Sequence, residues 1–157
     1  MRCFLKSSSI LFLILFVFSS VDVFTQPQLT VPNPSQLATV SQQIGLTDIS
    51  ITYNRPGVKG RNVFGELVPY DQVWRAGANK NTTISFSTDV MIEGKNLPAG
   101  IYGLHMIPSA NEWTIIFSKN NWSWGSFNYD EGEDALRVKV KPGTGEFTEW
   151  LQYTFDS

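Results

Sequence analysis

The sequence predicts an all-β domain, an antiparallel β-sandwich of jelly-roll-like type, with at most one short helix in the Asn62–Tyr70 loop. Three observations lead there. Apolar residues alternate with polar ones in run after run, which is the period of a half-buried strand. Clusters of Gly, Pro and Asn separate the runs at short intervals, the punctuation of a sandwich or barrel. Helical periodicity is almost nowhere to be found.

Taken in chain order, residues 1–25 stand apart. Arg2 and Lys6 precede an apolar run from Ile10 to Phe18, and small and polar residues follow. That is the order of a secretory signal peptide. The run is well short of the roughly 20 residues needed to cross a bilayer, so no stable membrane span is expected after cleavage. Cleavage after Thr25, or alternatively after Ser19, places the mature chain outside the cytoplasm, secreted or periplasmic. Residues 26–36 form an extended lead-in with Pro27, Pro32 and Pro34. Residues 37–157 form the single sandwich domain, a size able to bury its own core.

Within that domain, "DISITYN" sets Ile49, Ile51 and Tyr53 against Ser50 and Thr52. "TTISFS" sets Ile84 and Phe86 against Thr83 and Ser85, and "WTIIFS" puts Trp113, Ile115 and Phe117 on one face. "ALRVKVK" opposes Leu136, Val138 and Val140 to Arg137, Lys139 and Lys141, the cleanest division of core from solvent in the chain. "EGKNLPAG" joins two strand-like runs, "PSANE" closes a hairpin between "IYGLHMI" and "WTIIFS", and "KPGTGE" separates the last two runs. "NVFGELVPY" is the helical exception, limited by Gly65 and Pro69. "EWLQYTFDS" reads as a strand alternating Leu151, Tyr153 and Phe155, after which the chain stops. A bare edge there predicts strand-edge self-association and a domain shortened at its C-terminus.

Composition narrows the function. The chain carries a net charge of −2; without Arg2, Lys6 and Asp22, ten basic and thirteen acidic residues remain, a charge of −3. A nucleic-acid partner needs a basic excess and is not expected. Cys3 is the only cysteine and leaves with the signal peptide, so neither disulfide nor thiolate chemistry is expected. His105 is the only histidine, too few for a His-rich metal site. No metal or cofactor is predicted, and no phosphate loop, dinucleotide fingerprint or nucleophile elbow is spelled out.

Two groups of residues remain as candidates. Arg55, Lys59, Arg61 and Arg75 crowd one stretch of an acidic chain, with Trp74 and Asn79 beside them. Arginine suits planar carboxylate or phosphate groups, so these residues either converge on a small anion or pair with Glu66, Asp71 or Asp89. Tyr53, Val63, Phe64, Leu67, Val73 and Trp74 are expected to anchor the stretch to the core. Trp122 and Trp124, in "NNWSWGSFNYDEGED", form either a platform for a sugar ring or a cap on the sandwich. The acidic run Asp130–Asp134 lacks the spacing of an EF-hand loop and reads as a solvated turn. The principal reading is a binding or structural module for a small anionic or carbohydrate ligand. The other is a secreted hydrolase using His105 with a nearby carboxylate as general base.

The stretch "YNRPGVKGRNVFGELVPYDQVWRAGANKNTT", followed by "LPAGIYG" and "WSWGSFNYDEGEDALRVKVKP", resembles the secreted bacterial family of domain of unknown function 2911. The family pattern runs Y-S-R-P-x-V-K-G-R-x-I-F-G-x-L-V-P-Y-x-x-V-W-R-x-G-A-N, with Asn54 standing here in place of Ser. The resemblance covers roughly residues 37–155. It implies a signal peptide, an extracytoplasmic setting and a β-rich domain, and it brings no activity. Members continue with one or two further strands, which again implies a shortened end here.

Overall fold

A computed structural model describes residues 31–156. The signal-peptide reading of residues 1–25 lies outside the described residues. Among the described residues no helix is long and apolar enough to cross a membrane.

The domain is all-β, antiparallel and sandwich-like. Its strands are β1 (Gln36–Ile44), β2 (Thr47–Arg55), β3 (Thr82–Phe86), β4 (Val90–Ile92), β5 (Lys95–Leu97), β6 (Gly100–Ile107), β7 (Trp113–Ser118) and β8 (Asp134–Val140). Six of them form one sheet in the order β1-β2-β3-β6-β7-β8, and β4 and β5 form a separate hairpin. The hairpin turns are written in the sequence. Glu93 and Gly94 both take positive φ, 49° and 74°, as a two-residue type I′ turn demands. Gly45, at φ 62°, starts the β1–β2 turn.

Register explains the two faces. Ile51 lies opposite Ile84, Ile84 opposite Tyr102, Leu104 opposite Phe117, and Ile115 opposite Val138. These side chains share one face and form the core with Tyr53 and Phe86. The β4–β5 hairpin and the C-terminal segment cover that face, supplying fully buried Leu97 and the packed Leu151, Tyr153 and Phe155. The opposite face is covered over β6–β8 by the connection Lys119–Glu133, beneath which Ile116 is fully buried. Over β1–β3 this second face carries hydroxyls and stays open.

The Asn62–Tyr70 loop, expected to hold at most one short helix, holds none, and two further expectations are corrected. Leu67 and Val68 donate their N–H groups to Asn62 and Val63 carbonyls, five residues back (3.2 and 2.8 Å), and Gly65 at φ 93° leaves helical space. Among the described residues the one helical turn is a 3-10 element at Glu131–Glu133, N-capped by the Asp130 carboxylate. The final run is not a member of the sheet, whose edges are β1 and β8. Its alternation is real, but its backbone bonds the signature loop: Val58 N–H donates to Glu149 O at 2.8 Å, and Leu151 N–H to Pro56 O at 3.0 Å. Finally, Phe64 and Leu67 are not core anchors, being 41 % and 47 % exposed.

Candidate functional site

The signature stretch is an excursion from the sheet. Trp74 exchanges both backbone hydrogen bonds with Met106 (2.7 and 2.8 Å), in line with β3, which pairs Thr82 with Leu104. Between them Arg75–Asn81 loop outwards. The turn is tight. Ala76 is fully buried at φ 53°, a left-handed conformation costly for a residue with a Cβ. Its carbonyl accepts from Thr82 Oγ1 at 3.0 Å and from Tyr153 Oη at 2.6 Å. At Gly77 a Cβ would stand 2.6 Å from Thr82 Oγ1 and 3.2 Å from Asn54 O, so only glycine fits. Upstream, Lys59 and Gly60 take φ 50° and 68°, and Arg61 N–H reaches Val58 O at 3.1 Å. That is again a type I′ turn.

These turns enclose a cleft of about 480 Å³ between the signature loop and the C-terminal segment. Val63, Phe64, Leu67, Trp74 and Leu151 supply apolar walls and Lys59 and Arg61 supply charge; Arg75 borders the cleft, but its Nη1 stands 3.3 Å from where a Cβ on Gly125 would sit, so the guanidinium turns to the β7–β8 connection. Phe64 packs edge-on to Trp74 (6.0 Å between centroids) and to Trp113 (4.8 Å), which fixes one wall. No Asp or Glu is among the lining residues. Glu149, between Thr148 and Leu151 of the lining, uses its carboxylate to accept from Lys59 N–H at 2.8 Å.

The arginines divide. Arg55 Nε donates to Leu151 O at 2.9 Å, so it ties the C-terminal segment to β2. Arg61 donates to Val58 O and Gly57 O (3.0 and 2.7 Å) and holds its own loop while facing the cleft. Arg75 Nε is buried with no hydrogen-bond partner among the described residues, and burial lowers the guanidinium's pKa from its ordinary value. The expected pairing with Glu66, Asp71 or Asp89 is not found among the described residues, whose ion pairs involve only Arg137 and Lys139. Asn79 lines neither this cleft nor the tryptophan groove. At φ 60°, it turns the chain and points Nδ2 at Ser35 O, 3.5 Å away.

Trp122 and Trp124 belong to a different place. They are 80 % and 61 % exposed and border a groove with Leu37, Thr52, Asn54, Lys80, Asn81 and Thr83. They do not cap the sandwich. Lys80 Nζ lies 4.6 Å from the Trp122 ring centroid, within cation–π range.

His105 lines neither the cleft nor this groove. It is 3 % exposed, opposite Ile116 in the sheet. Its Nδ1 lies 3.0 Å from Ser126 Oγ, and its ring leans on Tyr129 at 5.4 Å. Tyr129 in turn donates to Asp134 Oδ2 at 2.5 Å. Burial pushes the imidazole down to about 4. The expected carboxylate partner is therefore a serine, and the pair resembles a nucleophile and base in kind only. An effective base has a pKa near the working pH and a third group to orient it. A fluorophosphonate probe is expected to leave Ser126 unmodified at neutral pH, as read by intact-protein mass spectrometry. Labelling at Ser126 would restore the catalytic reading.

Ser126 was invisible to sequence reasoning because the bond spans two distant segments. The groove's Thr52, Asn54, Asn81 and Thr83 were missed as well, although the polar positions of "DISITYN" and "TTISFS" signalled that one sheet face is hydrophilic.

The family model for protein of unknown function (DUF2911) matches residues 35–157. The chain belongs to this family. No curated protein and no solved structure matched it. The residues through which the chain resembles the DUF2911 pattern, from Pro56 through Ala78, are largely those that line the arginine cleft.

Proposed function

We propose that this DUF2911 domain is an extracytoplasmic binding module, and that its cleft takes a small organic anion with an apolar body, such as an aryl or alkyl carboxylate. The observation that carries this reading is a cleft that sets Lys59 and Arg61 beside the apolar side chains of Val63, Phe64, Leu67 and Trp74. Lys59 and Arg61 add positive potential with no carboxylate in the lining to cancel it. Val63, Phe64, Leu67 and Trp74 offer the apolar contact that a bare inorganic anion would leave unused. The order of residues 1–25 supports export.

The test is a binding panel of benzoate, phenylacetate and octanoate, with sulfate and phosphate as anions lacking an apolar body. Trp74 fluorescence and calorimetry report binding. At least one carboxylate is expected to bind more tightly than either inorganic anion. Lys59→Gln is expected to weaken it roughly 10- to 100-fold, the value of a charge-assisted hydrogen bond. An unchanged affinity in Lys59→Gln, or no binding of any of the three carboxylates, would sink the reading.

A further inference from the structure

A second site, on the opposite face of the sheet, goes beyond that reading. We propose that the open face of β1–β3 and the two exposed tryptophans bind a neutral oligosaccharide.

The face is a grid of hydroxyls. Thr39 lies opposite Thr52 and Thr52 opposite Thr83; in the next row Ser41 lies opposite Ser50 and Ser50 opposite Ser85. No charged side chain interrupts either row. Neighbouring hydroxyls already bond each other, Thr39 to Thr52 at 3.1 Å and Ser41 to Ser50 at 2.9 Å. Each hydroxyl has one donor and two acceptor positions, so a chain of this kind keeps acceptor capacity pointing outwards. The amides at its end are arranged the same way. Asn54 and Asn121 commit Nδ2 to the carbonyls of Ser35 and Ile101 (3.0 and 2.9 Å), and their Oδ1 atoms remain as acceptors. A ligand rich in hydroxyl donors matches such a surface.

The tryptophans complete it. β7 and β8 are adjacent and paired at Ser118 and Asp134, a connection that about 2–5 residues could make. The chain instead runs from Lys119 to Glu133 and carries Trp122 and Trp124 to the groove. A connection this long, with only the 3-10 turn Glu131–Glu133 at its end, is commonly functional. It is also held firmly. Trp124 bridges Lys80, Asn81 N–H donates to Ser123 O at 3.0 Å, and Ser123 Oγ donates to Asn81 Oδ1 at 2.8 Å. The Asn120 carbonyl lies so close over Gly103 that no Cβ fits there. The exposed indoles are thus pre-positioned, which lowers the entropic cost of stacking.

Charge selects among ligands. The only ionic group in the groove lining is Lys80, and it is already engaged over Trp122. A pyranose ring, with an apolar face for an indole and hydroxyls at its edge, fits both parts. The groove, about 500 Å³, takes in Thr52 and Thr83 of the first hydroxyl row, and the second row lies beside it on the same face, so more than one ring is expected to engage.

An array of short neutral hexose and N-acetylhexosamine oligosaccharides is the experiment, followed by fluorescence titration of the strongest hit. Binding is expected, at least tenfold weaker in Trp122→Ala and in Trp124→Ala, and several-fold weaker in the near-isosteric double variant Thr52→Val/Thr83→Val. Circular dichroism checks that each variant is folded. Lys59→Gln, which lies in the arginine cleft, is expected to leave oligosaccharide affinity unchanged, so the two sites fail or succeed separately. The proposal is overturned if no neutral oligosaccharide binds, or if the hit ignores both tryptophan substitutions. Sedimentation velocity covers the remaining occupant: a concentration-dependent dimer abolished by Trp122→Ala would assign the face to a second copy of the chain and equally overturn it.

Discussion

Replacing Tyr153 with alanine is expected to cost the domain about 3 kcal/mol of stability, the lower end of the range for removing a large packed aromatic. Tyr153→Phe is expected to cost only about 1 kcal/mol, the net worth of one hydrogen bond. The difference follows from what the side chain does. Its ring meets Tyr53 edge-on, 4.7 Å between centroids, and packs against the core. Its hydroxyl donates to Ala76 O at 2.6 Å, and its backbone N–H donates to Tyr53 Oη at 3.2 Å. Burial first, and Tyr53 second, raise the phenol's pKa, so it stays a donor at every working pH.

This one residue links three parts of the chain: β2 through Tyr53, the strained turn at Ala76, and the C-terminal segment. Gly77 and Ala78, which line the cleft, follow in that turn, so Tyr153→Ala is also expected to weaken ligand binding in the cleft without touching the ligand. Urea titration gives the stability, and a thermal melt should fall by roughly 4 °C per kcal/mol for a domain of this size. A loss under 1 kcal/mol for the alanine variant would show that the terminal segment is an appendage and not part of the core.

How far the chain could be read depended on whether the deciding contact was local. β8 was legible because "ALRVKVK" divides apolar from charged residues at every step, and the register bears this out with Val138 opposite Ile115. β1 was not read as a strand. Its core-facing positions are Ala38, Val40 and Gln42, while Leu37 faces out, 68 % exposed, so the contrast between faces is weak. In "EWLQYTFDS" alternation told which side chains turn inward, and Leu151, Tyr153 and Phe155 do. It could not tell which backbone they bond, because pairing partners leave no periodic trace. The arginine cluster was legible as a cluster, and Lys59, Arg61 and Trp74 meet in one cleft, while Arg75 turns its guanidinium to the β7–β8 connection. Their bonding was not. Sequence neighbours such as Glu66 offered an obvious partner for Arg55, yet its guanidinium bonds a carbonyl at Leu151, which only the folded chain brings near.

His105 carries the other large prediction, a loss of stability as the pH falls from 6.5 towards 4. The imidazole titrates near 4 in the folded chain because burial disfavours its charged form, and near 6.5 when unfolded. Below about pH 6.5 the unfolded chain therefore takes up a proton that the folded chain refuses, and unfolding becomes easier. The stabilisation is complete above 6.5, declines progressively, and is gone once the folded imidazole also protonates below about 4. Its full size is on the order of 3 kcal/mol for a shift of this extent. Asp134 acts in the opposite sense at the acid end. Burial raises its carboxyl, although Tyr129 and Arg137 oppose that. Its folded form therefore binds a proton first, which offsets part of the decline in the most acidic part of the range. The clean window is thus pH 5–6.5, where no other side chain with an ordinary pKa titrates, since His105 is the sole histidine. Urea midpoints across that window are expected to fall with pH in the native chain. His105→Gln, which keeps a polar partner for Ser126 and cannot take up the proton, is expected to flatten the curve. Equal slopes in the two proteins would show that His105 is not held neutral by burial, and would reopen the question of what this histidine is for.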